Sequence, residues 1–158
     1  MRIEYPVTLP VNEAIEYLTD PDFLVERSIA IGEMSADAEV AEDDEGTLYV
    51  SMNRLVTREL PSFLAKIFDP KQKLSMEEAW QQDEDTWHCK GSYTVEGQPV
   101  EINTLISLEP SESGSIYAIE FKVKAKIPMI GGKVEKFIKS NCQEGTQKEI
   151  DFLNGKAA

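Results

Sequence analysis

The sequence predicts an α+β domain: a twisted antiparallel sheet of about seven strands, two short helices after the first strand, and one long C-terminal helix over the apolar face of the sheet. Three observations predict it. Period-two alternation of apolar and polar residues recurs from residue 35 onward. The stretches between the alternating runs are too short for crossovers, so successive strands pair antiparallel. Residues 129–153 then switch to helical spacing, giving the only element large enough to cover a sheet.

Taken in order, "RIEYPVTLP" sets Ile3, Tyr5, Val7 and Leu9 against polar neighbours, a half-buried strand. Asn12 is the expected cap of a first helix with Ala14, Ile15 and Leu18 on one face. Asp20-Pro21 restarts the helix, aspartate as cap and proline at its first position. Phe23, Leu24, Arg27 and Ile31 follow, and Gly32 stops it. "ADAEVAED" is a weak strand and "DDEG" its turn; "TLYVSMNRLVTREL" is a long strand ending at Pro61. "SFLAKIF" is a short helical or loop insertion closed by Asp69-Pro70. "KQKLSMEEAWQQ", "TWHCKGSYTVEG", "VEINTLISLE" and "GSIYAIEFKVKAKI" supply four more strands, separated by "DED", "GQP" and "PSESG".

A chain of 158 residues suits one domain, 1–158, and buries roughly 68–70% of its unfolded surface. Twenty-nine acids against sixteen bases leave a net charge of -13, which repels nucleic-acid phosphates and anionic headgroups at long range. No nucleic-acid partner is expected, and at most transient membrane contact. "MRIEYPVTLPVNEA" lacks the continuous apolar core of a signal peptide, and two cysteines make no disulfide framework, so a cytoplasmic, reduced, soluble protein is expected.

The segment "KAKIPMIGGKVEKFIKS", residues 124–140, carries a strand into Pro128, crosses an apolar hinge and opens the last helix. Pro128 has no N–H and ends strand pairing. Gly131 and Gly132 are expected to permit a sharp turn and close backbone approach. Met129 and Ile130 either plug one end of a cavity, forming part of its mouth, or pack under the start of the helix. The element order resembles the START-like, or Bet v 1-like (SRPBCC), helix-grip superfamily, whose curved sheet wraps the C-terminal helix and leaves a cavity between them. "IPMIGGKVEKFI" is similar to the strand-to-helix junction of an uncharacterised bacterial branch of it. The resemblance implies a fold and a pocket of a few hundred Å³, and no assigned catalytic residue or cofactor.

Alternation assigns the faces. Leu48, Val50, Met52, Arg54 and Val56 point inward, as do Leu74, Met76, Glu78 and Trp80 on the next strand. Trp87, Cys89, Gly91, Tyr93 and Val95 follow, then Val100, Ile102, Thr104, Ile106 and Leu108, then Tyr117, Ile119, Phe121, Val123, Ala125 and Ile127. Arg54 and Glu78 break the apolar rule. They form an ion pair across adjacent strands, serve as polar anchors for a ligand headgroup, or lie at an edge or bulge. On the final helix Ile130, Val134, Phe137, Ile138, Asn141, Gly145 and Phe152 share a stripe that Asn141 and Gly145 thin. That thinning admits either the sheet or a ligand, with Tyr93, Thr104 and Asn141 as the orienting polar groups.

Catalytic motifs are scarce. The lone histidine, His88, faces outward, which removes histidine triads and multi-histidine metal sites, and "EDDEG" lacks the spacing of a calcium loop. The expected function is binding of an apolar or amphipathic small molecule, a lipid or polycyclic metabolite, without cofactor or metal. The expected contacts are Arg54, Met76, Glu78, Trp80, Trp87, Tyr93, Thr104, Ile106, Ile119, Phe121, Met129, Ile130, Val134, Phe137, Asn141 and Gly145. The alternatives are a pocket enzyme of the cyclase or hydratase class using Glu78, Tyr93 or Arg54, a co-chaperone-like interaction module, and a carrier docking through Met129, Ile130 and "LPSFLAKIF".

Overall fold

The computed structural model describes residues 2–157. In chain order it contains β1 (Arg2–Val7), α1 (Val11–Leu18), α2 (Pro21–Ala30), β2 (Ser35–Glu42), β3 (Leu48–Thr57) and α3 (Ser62–Ala65). There follow β4 (Lys71–Asp83), β5 (Thr86–Val95), β6 (Val100–Ser111), β7 (Gly114–Ala125) and α4 (Gly131–Asn154), with a last 3-10 turn at Gly155–Ala157. The strands make one 7-stranded sheet in the order β1-β7-β6-β5-β4-β3-β2. Each neighbouring pair is antiparallel. β2 to β7 run as a meander, joined by short turns except where residues 58–70 carry α3 between β3 and β4, and β1 closes onto β7 from the far end of the sequence. The arrangement is the α+β helix grip.

The caps and turns explain the helix boundaries. α2 starts at Asp20, whose carboxylate accepts from the Asp22 N–H at 3.0 Å. It ends in a Schellman turn: the Gly32 N–H donates to Ile29 O and the Glu33 N–H to Ser28 O, with Gly32 at φ +101. α1 differs from the sequence expectation. Pro10 occupies its cap and no side chain bonds there, so Asn12 lies within the first turn.

The hinge also differs. Its positive φ belongs to Met129, at 70°, and the Ile130 N–H donates to Pro128 O, an i to i+2 turn. Gly131 does provide close approach, since a Cβ there would lie 2.9 Å from Ala125 O, whereas Gly132 faces open space. The Ala125 N–H donates to the Glu135 carboxylate at 2.9 Å, fastening the start of α4 to the end of β7. Met129 points away from the protein, fully exposed, and Ile130 packs against the core's edge.

The core is unevenly distributed. Toward the C-terminal end of α4, Ile150 and Leu153 pack with Phe23, Leu24, Trp80, Leu108 and Tyr117 into a filled layer that α1 and α2 close. Toward its middle the space between helix and sheet is hollow.

Candidate functional site

The hollow is a cavity of about 210 Å³. Its floor is the inward face of β3 to β6, with Val56, Leu74, Val95, Val100 and Ile102; Phe121 adds the next strand. Leu60, Leu64 and Phe68 of the α3 segment form one wall, and Phe137, Ile138, Asn141, Cys142 and Gly145 of α4 form the roof. The exposed lining residues Gly32, Thr57 and Lys148 mark the mouth, between the end of α2, the end of β3 and α4. A Cβ added at Gly145 would meet nothing within 4 Å. The thinned helix stripe therefore does not admit the sheet: it leaves room.

One side of the cavity is a charged network. Arg54 Nε donates to Glu33 Oε1 at 2.8 Å and its Nη2 to Glu33 Oε2, a bidentate pair of which both side chains are almost wholly buried. Glu149 Oε2 lies 3.7 Å from Arg54 Nη2 and 2.8 Å from Arg27 Nη2. Burial works against the Arg54 charge, but Glu149 and Glu33 outweigh it and hold the guanidinium protonated beyond its ordinary range. The expected Arg54–Glu78 pair is not formed. Their strands are adjacent, but Val50 is the residue opposite Glu78 and Leu74 the residue opposite Arg54. Glu78 instead accepts from Trp80 Nε1 at 3.3 Å, and burial, against the pull of Arg27, raises its carboxyl pKa.

Behind the network lies a chamber of about 10 Å³ lined by Arg27, Glu78, Trp80, Tyr93, Tyr117, Thr146 and Glu149. That is at the lower limit for holding even a water and too small for a ligand. Burial lifts the Tyr93 and Tyr117 hydroxyls well above their ordinary pKa, so both stay neutral.

Of the expected contacts, the cavity gathers Arg54, Tyr93, Phe121, Phe137, Asn141 and Gly145. Glu78 and Trp80 border the small chamber instead. Met76, Thr104, Ile106, Ile119 and Val134 are buried in packed core off the cavity wall, and Trp87 packs beside them. Thr104 is held away by its row: its Oγ1 occupies the space that a Cβ at Gly91 would enter, at 2.4 Å. Met129 and Ile130 neither plug the cavity nor line its mouth.

The sequence reading missed Arg27, Glu33, Arg58, Gln72 and Glu149. Four of these had a signal. Arg27 falls on the apolar face of α2, Arg58 continues the inward alternation of β3 past Val56, Gln72 precedes Leu74 in the inward alternation of β4, and Glu149 continues the α4 stripe one turn past Gly145. Glu33 had none, because the Schellman turn that aims it is a property of the backbone after Gly32.

Cys89 and Cys142 are both free. Cys142 lines the cavity, and burial pushes its thiol up to about 11 although Arg58 pulls it down. No helix among the described residues is long and apolar enough to cross a membrane.

Solved structures share this fold. TTHA0849 from Thermus thermophilus is 14% identical with a TM-score of 0.63, covering 98% of this chain and 94% of that one. CV1439 from Chromobacterium violaceum is 18% identical with a TM-score of 0.57, covering 98% and 94%. An uncharacterized protein from Rhizobium leguminosarum is 12% identical with a TM-score of 0.58, covering 98% and 90%. At such identities the likeness concerns the fold alone. No curated protein matches the chain in sequence. A family model does match, from residue 1 to residue 155, and the chain belongs to that family, described as "Protein of unknown function (DUF2505)".

Proposed function

We propose that the chain binds a small amphipathic molecule between its sheet and α4, as a carrier or sensor. The observation that carries this reading is the hollow itself: about 210 Å³ of space walled by apolar side chains on one side and polar and charged ones on the other, beside an otherwise filled core. Interiors are ordinarily packed at crystal-like density, and a void of this size loses contacts that a few larger side chains would supply. At about 30 Å³ per water-sized group, the space takes roughly seven such groups. That size favours a medium chain or a compact ring system over a long acyl chain or a polycycle. The helix-grip architecture and the "IPMIGGKVEKFI" hinge support membership of the START-like superfamily, in which such cavities recur.

A cyclase-like reaction would need a titrating acid at the ligand. Glu78 fits that need poorly, since it borders the chamber of about 10 Å³ and not the cavity. The reading is tested by native mass spectrometry of the purified protein, followed by organic extraction of whatever is released. A stoichiometric small adduct supports it. A clean apo mass, together with no uptake of medium-chain amphiphiles or hydrophobic dyes, would overturn it in favour of an interaction module.

A further inference from the structure

We infer that the ligand carries an acidic headgroup, a carboxylate on an apolar body, and that Arg58 receives it. This rests on the cavity reading above and adds the chemistry of the ligand. Arg54, the obvious anchor in the sequence, is not available: its fork is closed on Glu33, and Glu149 stands beside it. Arg58 lies two inward positions further along the same strand direction and lines the same cavity. Its backbone N–H donates to Pro70 O, which fixes the chain there. Its guanidinium makes no hydrogen bond or ion pair with any described residue. It is half-buried and paired with no carboxylate, and its desolvation lowers its pKa more than the nearby Cys142 and Glu33, the latter already engaged by Arg54, raise it.

A guanidinium withdrawn from water and left without an anion is an expensive arrangement to maintain without a partner. Its planar fork matches a carboxylate with two parallel hydrogen bonds. The side chains of Gln72 and Asn141 also line the cavity and have no hydrogen-bond partner among the described residues, so amide donors stand available in the same cavity. Lys148 lies at the mouth. Of the charged lining residues, Glu33 and Glu149 face Arg54, Arg58 and Lys148, leaving the cavity with an excess positive charge inside a chain of net charge -13. The acidic exterior discourages adventitious anions, and the interior selects one that brings an apolar tail to bury.

The test is isothermal titration calorimetry with sodium octanoate and 1-octanol at pH 7.5, on wild type, Arg58→Leu and Arg58→Lys. Wild type is expected to bind octanoate at least tenfold more tightly than the alcohol. Arg58→Leu should lose about 10- to 100-fold toward octanoate, the range for a charge-assisted contact, and keep its affinity for octanol. Arg58→Lys should recover part of the loss. Arg58→Leu removes an unpaired guanidinium, so it should melt no lower than wild type, which separates lost recognition from lost folding. If both probes bind with equal affinity and Arg58→Leu changes neither, the headgroup assignment is overturned and the cavity reading stands. Binding of neither probe to wild type would overturn both.

Discussion

Gly145→Leu is the substitution whose outcome the structure constrains most. Gly145 is in the middle of α4, lines the cavity, and has nothing within 4 Å of the position a Cβ would take. Replacing glycine by a good helix former contributes about 1 kcal/mol. Each newly buried carbon adds about 0.8 kcal/mol, so a fully buried leucine side chain would add about 3 kcal/mol. Because residue 145 is only half-buried, a total gain of about 2 kcal/mol is expected, which raises the melting temperature by about 4–8 °C for a domain of this size. The same side chain fills roughly half of a space that takes about seven water-sized groups, so octanoate binding should fall by more than tenfold. Differential scanning calorimetry and titration calorimetry on one preparation read both effects. A fall in melting temperature would mean that the helix meets the sheet at this position, since overpacking costs about 1–3 kcal/mol. Undiminished octanoate affinity in a stabilised variant would place the ligand elsewhere. Either result refutes the reasoning.

Three further outcomes follow from the charged network and its surroundings. Glu33→Gln breaks the bidentate partner of buried Arg54 and should destabilise the fold by about 3–5 kcal/mol, read as a lower midpoint in urea; an unchanged midpoint would show that Glu149 alone satisfies the guanidinium. Glu78 binds its proton more tightly folded than unfolded, so its penalty is absent below the ordinary carboxyl value of 4.5 and grows as pH rises through the raised one. Glu78→Gln keeps an oxygen for Trp80 Nε1 and removes that penalty, so it should melt above wild type at pH 8 with the gap closing toward pH 4; parallel melting curves across that range would contradict the assignment. The Cys142 thiol, with its pKa at about 11, should alkylate slowly at pH 8, more slowly still in Arg58→Leu, and more slowly with octanoate present; faster labelling in Arg58→Leu would show that the guanidinium does not face the thiol.

Much of the fold is legible in the sequence because two local rules dominate it. Alternation fixed the inward face of β3, where Val50, Met52, Arg54 and Val56 are all buried, and short turns fixed the pairing of β2 with β3 and the run from β4 to β7. Asp20-Pro21 and Gly32 bounded α2 correctly because each acts within a few residues of itself, Asp20 through its carboxylate and Gly32 through its backbone. The failures are non-local. Asn12 has a capping side chain, yet the chain enters α1 from Pro10, two residues too early for it to be used. Met129 and Ile130 form an apolar pair that invites burial, but the positive φ of Met129 turns its side chain outward. The site suffers most from this. Arg54 was singled out and does line the cavity, while its partners come from the end of α2 and from α4, whose placement depends on the packing of the whole domain. Arg58 was within reach of the alternation rule, since it follows Val56 at the next inward position of a strand expected to run to Pro61, but the inward face was followed only as far as Val56.

The most direct test of the central claim is a titration of methyl-labelled protein with octanoate, followed by two-dimensional methyl NMR. The account predicts shifts at Leu60, Leu64, Leu74, Val95, Val100 and Ile138, which line the cavity, with Ile3, Ile106 and Leu153 in the packed remainder unmoved. Perturbation confined to methyls away from the cavity, or none at saturating octanoate, would contradict it.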